Sequence, residues 1–250
     1  MPEQILMEWG PAGAQAASEP GGVAVIVDVL SFTTTLTVAI DAGAQVYPYP
    51  FGDESAQDFA RCRDATLAVG RFEARRAAPG TAVSLSPASL REASVPARIV
   101  LPSPNGSAIA RLLAGRGVEV AGACLRNRLA IARWIAALLA GNEARSVAVV
   151  AAGERWPDDS LRPAVEDLWG AGAVIAALLD LGVRSLTPEA RTAADAFRGV
   201  AAGLPDALGR CTSGRELADA GYAADVAIAA EIDTSDCVPV LSGERFVKAG

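Results

Sequence analysis

The chain has 250 residues, 51% of them apolar, a formal net charge of −7 and an isoelectric point near 4.8. That acidity argues against nucleic acid or an anionic membrane surface as the main partner, and no apolar run reaches the about 18 residues of a membrane-spanning helix. Histidine is absent, which excludes Ser-His-Asp and Cys-His catalysis, phosphohistidine chemistry and His-rich zinc sites.

Acid–base or metal chemistry must therefore use carboxylates, Cys, Lys, Tyr or water. A metal held by carboxylates would be a hard cation such as Mg²⁺. The four cysteines (Cys62, Cys124, Cys211, Cys237) are scattered and form no CxxC pair, so neither a zinc site nor a disulfide framework is suggested. The opening MPEQILMEWG lacks a basic stretch followed by an apolar core, so no signal peptide is expected and a cytoplasmic location is. The composition leaves a homodimer open.

In chain order, a short first strand and then a surface loop are expected over residues 1–22, which include GPAGAQAASEPGG. Val23 to Val27 leads into Asp28 as an apolar, β-branched run, the pattern of a parallel strand buried on both faces. Residues 33–43 read as a helix stopped by Gly43. Strands follow at 45–49 and 66–69 with a helix at 54–63 between them. Residues 70–97, rich in Arg, Pro, Ser and Ala, read as a long irregular excursion.

Three further strand–loop–helix units come next: strand 97–101 with helix 107–113, strand 118–121 with helix 129–140, and strand 147–151 with helix 165–181. Residues 187–224 look mainly helical, and the tail DVAIAAEIDTSDCVPVLSG suggests one or two closing strands. This alternation predicts a single α/β domain over 1–250, with a mostly parallel or mixed sheet.

Parallel strands gather their loops at one edge, so the polar loops at four strand ends are the candidate chemistry. Asp28 is either a turn and capping residue or the first carboxylate of a site. Thr33, Thr34 and Thr35 after it either start a helix or present hydroxyls beside free N–H groups to an anion. Asn105, Gly106 and Ser107 form an ordinary turn and cap, or an anion cradle. Cys124 reads as a small buried residue or a nucleophile, with Asn127 close behind. Gly153-Glu154 leads on to Glu166 and Asp167, which either complement a helix dipole or join Asp28 at a metal. Gly170, Ala171 and Gly172 would let that helix pack closely. Common signatures fail: Asp28 is followed two places on by Leu30, no Cys-x5-Arg is present, and Gly-x4-Gly-Lys-Ser/Thr and Gly-x-Gly-x-x-Gly are missing.

Taken together, VIVDVLSFTTTLTVAIDAGA, SPNGSAIA, GACLRNRLAIA, VAVVAAGERW with EDLWGAGAVI, and DVAIAAEIDTSDCVPVL resemble, in order, the motifs of the 2-phosphosulfolactate phosphatase family. The resemblance spans about residues 20–245. It implies a three-layer α/β/α fold and a Mg²⁺-dependent enzyme that hydrolyses 2-phospho-3-sulfolactate to sulfolactate and phosphate, a step towards coenzyme M. By position it matches Asp28, Thr33 to Thr35, Asn105 to Ser107, Asn127, Glu154 and the pair Glu166-Asp167 to the family's motif residues; the expectation built on it is that Asp28 with Glu166 or Asp167 holds the metal, that Glu154 assists as base, and that Ser31, Thr33 to Thr35, Asn105 to Ser107, Cys124 and Asn127 contact substrate. The partner is then a small anionic phosphorylated molecule. One departure matters: the family's arginine after Asp-x-Leu is Ser31 here, and Phe32 replaces a small alanine. A guanidinium is the natural partner of phosphate or sulfonate, so the change points to another substrate, to a drifted binding protein, or to replacement by Arg71, Arg126 or Arg155.

Overall fold

A computed structural model describes residues 4–50, 54–77, 82–92, 94–141 and 146–250. Its strands are β1 (Gln4–Trp9), β2 (Val23–Val27), β3 (Gln45–Tyr49), β4 (Thr66–Val69), β5 (Val83–Ser84), β6 (Arg98–Pro102), β7 (Glu119–Ala123), β8 (Ser146–Ala151), the short β9 (Glu154–Arg155) and β10 (Leu161–Arg162), β11 (Pro239–Ser242) and β12 (Arg245–Lys248). Its helices are α1 (Gly10–Ala17), α2 (Phe32–Asp41), α3 (Glu54–Cys62), α4 (Arg71–Arg76), α5 (Pro87–Glu92), α6 (Gly106–Leu113), α7 (Arg128–Ala140), α8 (Val165–Asp180), α9 (Pro188–Val200), α10 (Leu204–Arg210), α11 (Thr212–Asp219) and α12 (Ala223–Ala229).

The main sheet runs β1-β8-β2-β7-β11-β12-β3-β6-β4-β5. Its first four strands are mutually parallel, as are its last four. The antiparallel hairpin β11–β12 joins the two groups, pairing with β7 on one side and β3 on the other. The expected mixed, mostly parallel α/β sheet is therefore present.

Helices cover both faces, and β2 shows why. Its side chains point alternately to opposite sides, and all five residues are buried. Val23, Val25 and Val27 enter one core with Ile131 and Ile135 of α7 and Val174 and Leu178 of α8. Ala24 and Ile26 enter the other with Leu36 of α2, Ile109 of α6 and Phe246 of β12. Gly170 lets α8 lie directly on β2, since a Cβ there would stand 2.6 Å from Val29 and 2.7 Å from Val27.

Three expectations are corrected. The supposed loop after β1 contains α1, whose Pro11 suits a first helical turn and whose Ala14 is fully buried. The supposed irregular stretch holds α4, β5 and α5, while 78–81 and 93 lie outside the described residues. Each of these pieces is too short to show a repeating pattern, yet Leu90 anchors α5 in a core. In the tail, 223–229 is helix rather than strand; Val226, Ala229 and Ala230 face the core at helical spacing, and the closing strands come later. Among the described residues, no helix is long and apolar enough to cross a membrane.

Candidate active site

The site grows from the turn after β2. Asp28 is 5% exposed, and its carboxylate lies where two helices begin. Oδ1 accepts the N–H of Phe32, first residue of α2, at 3.1 Å, and Oδ2 accepts the N–H of Gly106, first residue of α6, at 2.9 Å. The Ser103 hydroxyl also donates to Oδ2, at 3.3 Å. Both helix starts thus present free N–H groups and positive dipole ends to one carboxylate. Gly106 is required there: a Cβ would stand 2.4 Å from the Phe32 ring and 2.8 Å from Asp28 Oδ2.

Asp28 forms part of a hollow of about 190 Å³ with Ser31, Thr35, Ser103, Asn105, Glu154 and Arg71. Asn105 Nδ2 donates to Glu154 Oε2 at 2.9 Å, fixing that carboxylate. Arg71 of α4 donates through Nη2 to Ser31 Oγ at 2.6 Å and through Nε to Asp225 Oδ2 at 2.7 Å. A guanidinium therefore stands beside Ser31. Of the other candidates, Arg155 reaches the Pro104 carbonyl and Asp159 at the rim, and Arg126 is buried among Thr37, Asp41 and Glu231.

The electrostatics are those of crowded acids. Burial lifts the Asp28 carboxyl above the ordinary carboxylate value against the pull of the Gly106 and Phe32 N–H groups, and Glu166 adds repulsion. Burial and the charge of Asp28 push Glu154 up to about 7 although Asn105 opposes the shift. Asp167 is raised as well, by burial and then by Asp28 and Glu166. These four acids feel one another through low-dielectric surroundings.

Of the sequence candidates, Asp28, Ser31, Thr35, Asn105 and Glu154 share the hollow, and Gly106 reaches Asp28 by its N–H. The hydroxyls expected to form a cradle are engaged with main chain. Thr33, Thr34, Thr35 and Ser107 donate their hydroxyl protons to the carbonyls of Asp28, Val29, Leu85 and Leu101. Cys124 and Asn127 sit at the end of β7, with Asn127 Oδ1 accepting the Cys124 N–H at 2.9 Å, and neither lines the hollow. Asp167 lies behind it, accepting the N–H groups of Val29 at 2.7 Å and Gly153 at 2.8 Å. Glu166 is 2% exposed beside it. Ser103 was read only as part of the polar loop at its strand end, and Asp225 was not among the sequence candidates.

Among the described residues no three acids or thiols converge as a metal cluster. Mg²⁺ commonly uses only one or two carboxylates and completes its shell with waters and phosphate oxygens. Asp28 and Glu154, the acids that line the hollow, fit that pattern, and their mutual repulsion is what a divalent cation would relieve.

An α/β sheet with buried carboxylates, helix-start amides and a guanidinium around one small hollow is the build of an enzyme for a small anion. Residues 11–244 match the 2-phosphosulpholactate phosphatase family. The chain is 31% identical over 230 residues to a probable 2-phosphosulfolactate phosphatase of Deinococcus radiodurans, covering 91% of each. It is also 31% identical over 222 residues to one of Thermus thermophilus, covering 88% of each. The chain belongs to the 2-phosphosulfolactate phosphatase family, whose members are phosphoric monoester hydrolases.

Proposed function

We propose that the protein releases phosphate from 2-phospho-3-sulfolactate or a closely related small phospho acid, with Mg²⁺ as cofactor. The observation that carries this reading is the Asp28 carboxylate at two helix starts within a hollow of about 190 Å³. Asp28 and Glu154 would hold the metal. When bound, Mg²⁺ supplies a Lewis acid for the phosphoryl group and lowers the pKa of a coordinated water. In the metal-free site Glu154, lifted to about 7 by burial and by Asp28, holds a proton near neutral pH that metal binding would displace. Asn105 keeps its carboxylate in place. Arg71 brings positive charge to a hollow otherwise bounded by acids, which favours entry of an anion.

The test is phosphate release from a panel of small esters with and without Mg²⁺. Activity should require the ion and should collapse in Asp28→Ala. Mg²⁺ should also raise the melting temperature of the wild type and not that of Asp28→Asn. Turnover insensitive to chelator would remove the metal from the scheme. Preference for a sugar phosphate would change the substrate while keeping the reaction. The Ser31 departure motivates a second reading, a phospho-acid-binding protein without catalysis; it predicts thermal stabilisation by the phospho acid with no turnover at any metal concentration.

A further inference from the structure

The pairing of β2 with β8 ends just short of the hollow, and one carboxylate takes over where it stops. The two strands are in register through Val27 and Ala151, followed by the Ala152 N–H on the Val27 carbonyl at 2.8 Å. Asp28 and Glu154, the acids that line the hollow, stand past that end on separate turns. Asp167 joins those turns from behind. Its Oδ1 accepts the N–H of Val29, the residue after Asp28, at 2.7 Å. Its Oδ2 accepts the N–H of Gly153, the residue before Glu154, at 2.8 Å.

Each end of this link is held again from another side. The Thr33 hydroxyl accepts the Asp28 N–H at 3.0 Å, and the Thr34 hydroxyl donates to the Val29 carbonyl at 2.8 Å. Gly153 has a φ of +69°, which glycine adopts without strain, and a Cβ there would stand 2.6 Å from Leu161. Asn105 holds the Glu154 carboxylate from the opposite wall. Asp167 itself is 3% exposed in the first turn of α8, the helix that Gly170 seats against Val27 and Val29. With an N–H on each oxygen and no part in lining the hollow, its carboxylate serves the main chain and not a cation there. We propose that Asp167 is a positioning residue, whose carboxylate sets the spacing of Asp28 and Glu154 and through it the affinity of the site for a divalent cation. The cation rests on the phosphatase reading above; the link between the two turns does not.

The test uses the full chain and three variants, with Mg²⁺ binding followed by calorimetry and phosphate release measured at saturating Mg²⁺. Asp167→Asn keeps the size of the side chain but turns an NH₂ donor towards one of the two N–H groups. It should weaken Mg²⁺ binding and lower kcat by about 10- to 100-fold, the scale seen when a partner behind a metal ligand is lost, with KM for the ester within about threefold. Asn127→Ala, which breaks buried hydrogen bonds away from the hollow, is the control for stability alone. It should lower the melting temperature and leave Mg²⁺ affinity and kcat within about threefold. Asp28→Ala should bind no Mg²⁺. If Asp167→Asn behaves like Asn127→Ala, its role is structural only; if it loses Mg²⁺ altogether, as Asp28→Ala does, it is a ligand. Either result overturns the proposal. If the wild type neither binds Mg²⁺ nor releases phosphate, the phosphatase reading fails, and the link is judged by amide hydrogen exchange. The N–H of Val29 or of Gly153 should then exchange at least about tenfold faster in Asp167→Asn, with Ala152 unchanged. Unaltered exchange at both would overturn the link.

Discussion

Two strand-to-helix turns lie side by side at the same edge of the sheet, after β2 and after β7, and they have opposite fates. The first carries Asp28 and Ser31 and opens into the hollow. The second carries Cys124, Arg126 and Asn127, none of which lines that hollow. Asn127 accepts the Cys124 N–H and donates to the carbonyls of Gly122 at 3.2 Å and Cys237 at 3.0 Å. Arg126 is 4% exposed against Thr37, Asp41 and Glu231, and burial pushes the Cys124 thiol up, away from nucleophilic use. Polar residues at a strand end therefore do not by themselves make a site. What separates the two turns is that only the first contributes side chains to the hollow around Asp28.

That contrast can be broken by mutation. Asp28→Ala should lower phosphate release by about 10²–10³-fold or more, the scale of losing a preorganised electrostatic partner, with the fold retained by circular dichroism. Asn127→Ala should do the reverse. Removing three buried hydrogen bonds should cost about 2–4 kcal/mol, a fall of roughly 5–15 °C in melting temperature, with KM unchanged. If Asn127→Ala instead abolished binding while melting normally, the second turn would belong to the site.

Gly106→Ala should be intermediate, costing about 1–3 kcal/mol by overpacking and reducing activity as well, because the new methyl presses on both Phe32 and Asp28. The smallest effect concerns pH. Glu154 titrates at about 7 in the folded chain against 4.5 ordinarily, so between those values the native state holds a proton that the unfolded state has lost. Metal-free stability should therefore fall as pH rises through that window. Glu154→Gln should make the decline shallower in melts from pH 5 to 8, with a residue from Asp28 and Asp167, raised in the same direction. An unchanged slope would show that Glu154 is not buried as described.

Much of this was legible in the residues, for particular reasons. The VAVIV run needs no partner to declare itself a buried strand, and it delivers Asp28 to the productive edge. The Asn105-Gly106 turn was likewise readable as a helix start. The threonines were read half correctly: hydroxyls near a helix start commonly bond to nearby main chain, and Thr33 and Thr34 bond five residues back, to Asp28 and Val29. The guanidinium was legible only as a need. Arg71, Arg126 and Arg155 were equal candidates in the sequence; that Arg71 is the one beside Ser31 depends on Asp225, which is 154 residues away. The helices within 71–92 were missed because six-residue segments are held by their burial sites rather than by any pattern of their own.

The β11–β12 hairpin has a consequence for how the enzyme comes into being. Asp28 leaves β2 in one parallel group, while Ser103 and Gly106 follow β6 in the other, and the strands that knit the groups together come from residues 239–248. During synthesis both groups emerge from the ribosome before the seam between them exists. Pairings across so large a sequence separation are slow to close. Catalytic competence is thus acquired last, when the hairpin docks, and nascent chains lacking it should carry all the pocket's residues without yet having a pocket.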